Sequence, residues 1–530
     1  MMKLIWIQLM LLLLFTCGCS DDTAQTDDGG TQDTGNDTDS NTPGTDSFIN
    51  TDSDSGANDD DSDITGDLGP TFRYGINGGH RNAGWSDPVQ AQLEVLAGCN
   101  SQRISLPERH LDQWGYDIEL ADMSAYAELG MTDQVAFLTS PIRSHSTAPD
   151  AVADWELAYY MPANLYEPAI INGEINPNNY WAKYVYDTVA TYKSRIRVWE
   201  IWNEPDYTPT WADTLTWWEE APTAAQLPRF NGSIYAYIRM LRVSKEAATL
   251  ADPNALIATG GIGYASFLGA ILRYTDNPSD GSVSDAFPAT GGAYFDVLSF
   301  HHYPIYTSGN SDAAVAGYLS HFNELKDTLA EAGKAVAGYE NTESGAPTHA
   351  VGSYPGNDAY AVNYLMKVMI SAHAAGIHGI DWFTLSDSDL NGGGDSSYDY
   401  MGLYEDVVNL DDINAAQIKN TGVAYKTLDI LLGGASYDIA ATNALSLPAN
   451  VTGHAFVTAA GQTALALWTT VDAAEKGSAA VPINSAAVPA NVTVAWNVHH
   501  WNHSATGIAD ILDAPAELTL DGYVTILVAR

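Results

Sequence analysis

The stretch Arg197–Asp206 reads Arg-Val-Trp-Glu-Ile-Trp-Asn-Glu-Pro-Asp and has the composition of a buried strand that ends in a loop. Its β-branched and aromatic residues favour a strand, and Pro205 cannot donate to a sheet ladder. Asn203 and Glu204 therefore follow directly on the end of a strand. A parallel α/β barrel carries its catalytic side chains at the carboxyl ends of its strands. The stretch thus predicts a polar site at the open end of such a barrel.

Strand alternation places Glu204 on the same face as Trp202 and Glu200. Beside two tryptophans and a proline, a carboxyl group is poorly solvated, and poor solvation favours its protonated, acid form. A glutamate at a strand end would also suit a surface ion pair. The full Trp-Asn-Glu-Pro string, however, resembles the acid/base motif of the retaining glycoside hydrolases of clan A, the (β/α)8 group that includes families 5 and 39.

From Thr71 onward, short apolar runs alternate with amphipathic stretches, which is typical of βα units around a parallel sheet. Helices are predicted between the apolar runs, among them Ile234–Ala251, Asp312–Glu331 and Asp358–Ala375. The predicted strands are Arg73–Asn77, Ser101–Ser105, Gln134–Leu138, Ile196–Trp202, Leu256–Gly260, Phe295–His301, Ala335–Glu340 and Gly379–Leu385. This pattern predicts an α/β fold, a (β/α)8 TIM barrel spanning residues 71–432.

After Leu432 the long helical stretches give way to short β-rich runs that alternate with turns. Such a pattern favours a β-sandwich over residues 433–530. Clan A enzymes with a C-terminal sandwich pack it against the barrel. The resemblance implies the same arrangement here, without a catalytic role for the sandwich.

The first residues are typical of an export signal: Lys3 precedes an apolar run, and small or polar residues follow Phe15. Gly18 before Cys19 resembles the cleavage box of bacterial lipoproteins. The resemblance implies that residues 1–19 are a signal region ending at a lipidated Cys19, and that Ser20 directs the protein to the outer membrane or cell surface. An ordinary cleaved signal peptide is the alternative.

Residues 20–70 consist almost wholly of Asp, Ser, Thr, Gly and Asn, without Lys or Arg. Such a segment buries too little apolar area to offset its ordering entropy, so we expect a disordered tether. The whole chain has a formal charge of −44, and residues 71–530 alone carry 51 acidic and 21 basic residues. This acidity argues against nucleic acids, anionic membrane surfaces and polyuronates as partners. Any contact with a membrane is expected through the lipid anchor only.

A retaining glycosidase needs a second carboxyl group about 5–5.5 Å from the acid/base. In clan A this nucleophile ends the seventh strand, and Lys334-Ala-Val-Ala-Gly-Tyr-Glu340-Asn341 resembles that segment. A strand of about six residues from Ala335 would end at Glu340, which favours Glu340 as the nucleophile. Three residues later, Thr342-Glu343-Ser344-Gly345 resembles another form of the same motif, so Glu343 is the alternative.

Further positions resemble substrate-binding residues of the clan. Phe300-His301-His302-Tyr303 resembles the clan's His-x-Tyr, in which the tyrosine hydrogen-bonds the nucleophile and the histidine lines the sugar subsite. Arg103 corresponds to an arginine that keeps the nucleophile ionised, although an ion pair with Glu200 would also explain it. Asn203 would bind the sugar 2-hydroxyl. Trp382 corresponds to the tryptophan beneath the sugar, with a role in the core as its alternative.

Together these resemblances imply a retaining β-glycoside hydrolase that cleaves a β-linked oligo- or polysaccharide by double displacement. Neither a cofactor nor a metal ion is expected. A carbohydrate-binding surface lipoprotein without turnover, or a transglycosidase, would share most of these features. The sugar, the linkage and the oligomeric state are left open by the sequence.

Overall fold

The computed structural model describes residues 68–69, 71–77, 86–306, 309–388, 394–408, 410, 412–484 and 495–530. Cys19, the signal region 1–19 and nearly all of the expected tether 20–70 lie outside these residues. Within the described part of the chain, no helix is both long enough and apolar enough to cross a membrane.

Eight parallel strands close into a barrel, which confirms the predicted fold class. The ring follows chain order and closes where the first strand pairs with the eighth. The strands are β1 (Arg73–Asn77), β2 (Ser101–Ser105), β3 (Gln134–Leu138), β4 (Ile196–Ile201), β5 (Leu256–Ala258), β6 (Val297–His301), β7 (Gly338–Ser344) and β8 (Gly379–Trp382).

Helices surround the barrel, and the longer ones bury apolar side chains against its outer surface. They are α1 (Asp87–Ala97), α2 (Glu108–Trp114), α3 (Tyr116–Glu128), α4 (Tyr180–Tyr192), α5 (Trp211–Thr214), α6 (Ile234–Ala251), α7 (Ala265–Arg273), α8 (Ser311–Glu331), α9 (Asp358–Ala375) and α10 (Asn420–Leu432). Inside the barrel, a small apolar cluster that includes Leu68, Val135 and Val198 is buried.

Strand β7 begins and ends later than the sequence predicted, so the expectation that it ends at Glu340 is wrong. Ala337 lies in the connection after α8, and the ladder with β6 begins where Gly338 pairs with Val297. The apolar run Ala335–Ala337 looked like the strand but forms only its approach. The strand therefore ends near Glu343, while Glu340 lies deep in the barrel.

A bulge in β7 controls which side chains point inward. Phe300 pairs with Asn341, but the next residue of β6, His301, pairs with Glu343, so Thr342 is the extra residue. A bulge interrupts the two-residue alternation and re-aims the side chains that follow it. Thr342 and Glu343 consequently both contact residues of the barrel interior, which strict alternation would not allow.

The C-terminal part contains antiparallel sheets. A six-stranded sheet is built from β9 (Ser436–Tyr437), β10 (Val451–Val457), β11 (Thr463–Thr469), β13 (Ala495–His500), β14 (Asp510–Asp513) and β16 (Thr525–Ala529), and β12 (Ala479–Ile483) pairs with β15 (Ala516–Leu520). The short helices α11 (Ile439–Ala444) and α12 (His503–Thr506) accompany them. Alternate residues of β11 face opposite sides, so Ala464 and Trp468 join the barrel core while Leu465 and Leu467 join the sandwich core.

The sandwich is also joined to the barrel by a buried carboxylate. Glu475 accepts hydrogen bonds from the backbone N–H and the hydroxyl of Ser311 at the start of α8, at 2.7 and 2.6 Å. It also accepts one from Asn363 of α9 at 2.9 Å. A carboxylate at a helix N-terminus satisfies N–H groups that have no partner within the helix. The contact fixes the sandwich on the outside of the barrel.

Candidate active site

The chain turns sharply after β4. Trp202 and Glu204 both have left-handed backbone conformations, with φ of 76° and 47°. Non-glycine residues rarely adopt this conformation, and such strain is concentrated at functional sites. Hydrogen bonds that hold the turn run from Glu204 N to the Gly260 carbonyl at 2.7 Å, from Trp202 Nε1 to the Arg229 carbonyl at 2.7 Å and from Trp202 N to the Leu138 carbonyl at 3.0 Å.

This turn separates Trp202 from Glu200, contrary to the expected shared face. Trp202 packs against Trp181 of α4, with ring centroids 6.1 Å apart, whereas Glu200 points into the barrel towards Arg103. Glu204 is also less shielded than expected, since 22% of its side chain is exposed. Its surroundings are polar groups rather than indole rings.

Each carboxylate oxygen of Glu204 has its own partner. Oε1 lies 3.0 Å from Nδ1 of His301, and Oε2 forms an ion pair with Nη1 of Arg229. Burial lowers the pKa of His301, although Glu343 raises it, so the ring is neutral near pH 7. A neutral imidazole donates through one nitrogen and accepts through the other. His301 can thus meet either protonation state of Glu204.

Glu343 lies opposite Glu204 and is held as a carboxylate. Oε1 accepts a hydrogen bond from Nη1 of Arg103, and Oε2 accepts one from the Tyr303 hydroxyl, both at 2.7 Å. Burial raises the pKa of Glu343, but the charge of Arg103 and the hydrogen bond from the Tyr303 hydroxyl oppose this, and the pKa lies below its ordinary value. A carboxylate that is ionised at neutral pH is suited to act as a nucleophile.

The carboxyl groups of Glu204 and Glu343 face each other across His301. One carboxylate oxygen of each and a ring nitrogen of His301 all lie within 4.8 Å of one another. Retaining glycosidases hold their two carboxyl groups about 5–5.5 Å apart. One oxygen of Glu204 and one of Glu343 are thus no farther apart than this spacing.

Arg103 and Thr342, both buried, connect these groups. Arg103 donates to Glu200 through Nε at 2.8 Å, which is the ion pair given above as its alternative, and the same guanidinium also binds Glu343. Thr342 Oγ1 lies 3.1 Å from Nε2 of His301 and 3.2 Å from Oε1 of Glu200. The groups around Glu204 and those around Glu343 are thus joined through one buried hydrogen-bond network.

Asn203 is oriented by the same arginine. Its Oδ1 accepts a hydrogen bond from Nη2 of Arg103 at 2.8 Å, which fixes which end of the amide faces the arginine. The structure thus gathers Arg103, Asn203, Glu204, His301 and Tyr303 around Glu343 at the carboxyl end of the barrel.

Glu340 is placed elsewhere. It is completely buried and lies 2.7 Å from Nη2 of Arg73, which is also 3.2 Å from Asp381. Burial raises the pKa of Glu340, and Arg73 only partly opposes this. Arg73 opens β1 and Glu340 pairs with Gly379 at the start of β8, so this cluster lies towards the amino ends of the strands. The expected position of Glu340 beside Glu204 is corrected by this arrangement.

Trp382 also lies away from its expected position, in the core. Its side chain is fully buried, its Nε1 donates to the Met401 carbonyl at 2.9 Å, and its ring lies 6.3 Å from that of Tyr364. This is the core position given above as its alternative. The next residue, Phe383, is partly exposed and lies 6.0 Å from the ring of Tyr303.

Sequence reasoning missed Arg229, Thr342 and Phe383. Arg229 stands in the long segment after β4, where nothing in the local sequence marks it as a partner of Glu204.

Gly261 is a sequence feature that could have indicated the position of His301. Its φ is 60°, and a Cβ there would lie 2.1 Å from Nε2 of His301, so only glycine lets the chain pass this close to the ring.

Within the described residues, Glu204, His301 and Glu343 are also the one group of three or more acidic or histidine side chains spaced closely enough for a metal ion. Their charge environment does not suit one. The outer oxygens of both carboxylates already bind the guanidinium groups of Arg229 and Arg103, which would repel a cation.

No protein-family model and no curated protein matches the sequence. Solved structures do. A family 39 glycoside hydrolase from Bacteroides cellulosilyticus WH2 has 16% identity and a TM-score of 0.56, covering 87% of this chain and 81% of that chain. A glucosidase from Croceicoccus marinus has 10% identity and a TM-score of 0.51, covering 88% and 98%. A family 30 subfamily 8 xylanase from Clostridium acetobutylicum has 14% identity and a TM-score of 0.50, covering 87% and 96%. The chain is therefore similar in fold to the clan A glycoside hydrolases, the group that its Trp-Asn-Glu-Pro motif resembles.

Proposed function

We propose that the protein is a retaining β-glycoside hydrolase in which Glu204 is the acid/base and Glu343 the nucleophile. One observation carries the proposal: oxygens of these two carboxyl groups lie within 4.8 Å of each other at the open end of the barrel. The choice of Glu343 over Glu340 rests on the later end of β7 and on the bulge at Thr342.

In the first step, Glu343 attacks the anomeric carbon while Glu204 protonates the departing oxygen, so that a glycosyl ester forms and the aglycone leaves. Arg103 and Tyr303 hold both oxygens of Glu343 and orient it for attack. In the second step, Glu204 removes a proton from water, and the water oxygen replaces Glu343 at the same carbon. Two inversions leave the configuration unchanged.

The residues around the two glutamates fit roles in sugar binding. Asn203, fixed by Arg103, is assigned to the 2-hydroxyl, and His301 to the wall of the subsite between the carboxyl groups. Phe383 and Tyr303 offer aromatic surface beside Glu343. A β-linked neutral oligo- or polysaccharide is the proposed substrate class, since the acidic body disfavours polyanions.

The test is hydrolysis of a panel of aryl β-glycosides by the wild type and the Glu204→Ala and Glu343→Ala variants. Both variants should be nearly inactive, since each lacks one of the two displacement groups. Azide should restore Glu204→Ala with a β-configured azide product and Glu343→Ala with an α-configured one, because azide enters from opposite faces. If the two azide products had the opposite configurations, Glu343 would be the acid/base and Glu204 the nucleophile. If the wild type bound the glycosides but did not release the aryl group, the carbohydrate-binding alternative would be supported.

We further propose that the protein is exported and anchored through lipidated Cys19, with residues 20–70 as a spacer. This proposal rests on the sequence alone. Cells that express the protein should incorporate labelled palmitate into it, and Cys19→Ala should abolish the label. A labelled Cys19→Ala variant would disprove the assigned site.

A further inference from the structure

Arg229 is held directly beside the acid/base glutamate by its own segment of chain. Its guanidinium pairs with Oε2 of Glu204 and lies 4.0 Å from the ring centroid of Tyr207, in stacking contact. Its carbonyl accepts the hydrogen bond from Nε1 of Trp202, which stands in the same strained turn as Glu204. The arginine and the glutamate are therefore fixed relative to each other.

The ion pair between Arg229 and Glu204 opposes the first proposed step, in which Glu204 donates a proton, and assists the second, in which Glu204 accepts one. A guanidinium in contact with a carboxyl group stabilises its ionised form. Glu204 must be protonated when the aglycone leaves but ionised when it removes a proton from water. On the basis of the function proposed above, we propose that Arg229 is a positioning residue that stabilises the base form of Glu204 for the hydrolysis of the glycosyl-enzyme.

The charges around Glu204 change between the two steps. The groups that face it are Arg229 from the segment after β4, His301 from β6 and Glu343 from β7, and behind them lie Arg103, Glu200 and Asp206. In the free enzyme the negative charge of Glu343 favours protonated Glu204 and so opposes Arg229. Once Glu343 is esterified its charge is lost, and the attraction of Arg229 is no longer opposed.

The step that Arg229 assists can be written in full. Water gives a proton to the Glu204 carboxylate, and its oxygen forms a bond to the anomeric carbon. The bond between that carbon and Glu343 breaks, and its electron pair returns to Glu343 as a carboxylate. Ionised Glu343 again favours the proton on Glu204, and the enzyme is ready for the next aglycone.

The test compares Arg229→Met, which keeps much of the aliphatic stem but removes the charge, with Arg229→Lys, which keeps the charge. The substrates are the dinitrophenyl and phenyl β-glycosides of the sugar that the wild type hydrolyses best. Dinitrophenolate leaves without a proton, so its hydrolysis is limited by the second step, whereas phenyl hydrolysis is limited by the first. Arg229→Met should slow turnover of the dinitrophenyl glycoside about 10-fold with a pre-steady-state burst, and change the phenyl rate less.

A second readout is the pH profile of kcat/KM. Without Arg229, protonated Glu204 should persist to higher pH, so the basic limb should move upward in Arg229→Met and return towards the wild-type position in Arg229→Lys. A rise in KM alone, with the limb unmoved, would overturn the proposal and make Arg229 a substrate-binding residue. Equal losses for both substrates would overturn it in favour of a structural role. If the wild type hydrolysed neither glycoside, the proposed function itself would fail instead.

Discussion

Glu340 and Glu343 lie on the same strand, but we assign Glu340 to a buried ion pair and Glu343 to the active site. The variant Glu340→Gln tests this assignment. Glu340 is fully buried and pairs with Arg73, and breaking a buried pair costs about 3–5 kcal/mol. Arg73 keeps Asp381 at 3.2 Å, so the lower end, about 3 kcal/mol, is expected near pH 5. For a folded body of this length that corresponds to a fall of about 3 °C in Tm.

The loss of stability caused by Glu340→Gln should become smaller as the pH rises. Burial raises the pKa of Asp381 from 3.8 to about 7, with Glu340 contributing. Between these two pKa values, Asp381 keeps a proton in the folded wild type that it has lost in the unfolded chain. The free energy of unfolding therefore falls as the pH rises from about 4 to about 7, by up to about 1.4 kcal/mol per pH unit. In Glu340→Gln, Asp381 ionises more easily beside Arg73, so the variant loses less over the same range.

The assay is calorimetric unfolding between pH 5 and pH 8, together with kcat/KM on an aryl β-glycoside. Activity of Glu340→Gln should stay within about threefold of the wild type, whereas Glu343→Gln, the matched control on the same strand, should lose about 10⁴-fold or more. A properly folded but inactive Glu340→Gln would refute the assignment of the nucleophile. A stability difference that widens with pH would refute the charge argument.

Three further predictions follow from the site and the fold. Tyr303→Phe removes a hydroxyl that helps to lower the pKa of Glu343, so the acidic limb of the kcat/KM profile should move to higher pH; an unmoved limb would show that the hydroxyl does not act on the nucleophile. Gly261→Ala should lower kcat about 100-fold in a folded protein, because the new methyl group displaces His301, and wild-type kinetics would contradict the close approach. Glu475→Gln should destabilise the protein by about 2 kcal/mol without changing KM, as measured by unfolding, because a charged acceptor is removed from a buried helix start. A changed KM would show that the sandwich acts on the substrate site.

The apolar pattern and the motifs of the sequence were enough for the architecture and for one half of the site. The alternation of apolar runs with amphipathic stretches is a local property of the chain, and β1, β2, β3, α6 and α9 have the predicted bounds. The Trp-Asn-Glu-Pro string is likewise local, since proline ends the strand wherever it stands. Glu204 could therefore be placed at the open end of the barrel without coordinates.

The register of β7 and the partners from distant segments depend on the folded chain. Hydrogen bonding to β6 sets where β7 begins, and the bulge at Thr342 turns Glu343 inward, so Glu343 rather than Glu340 faces Glu204. The contact between Arg229 and Glu204 spans 25 residues and depends on how the intervening segment folds back. Pairing energies between strands and between remote side chains do not reside in any single stretch of sequence, and for that reason only the folded chain reveals them.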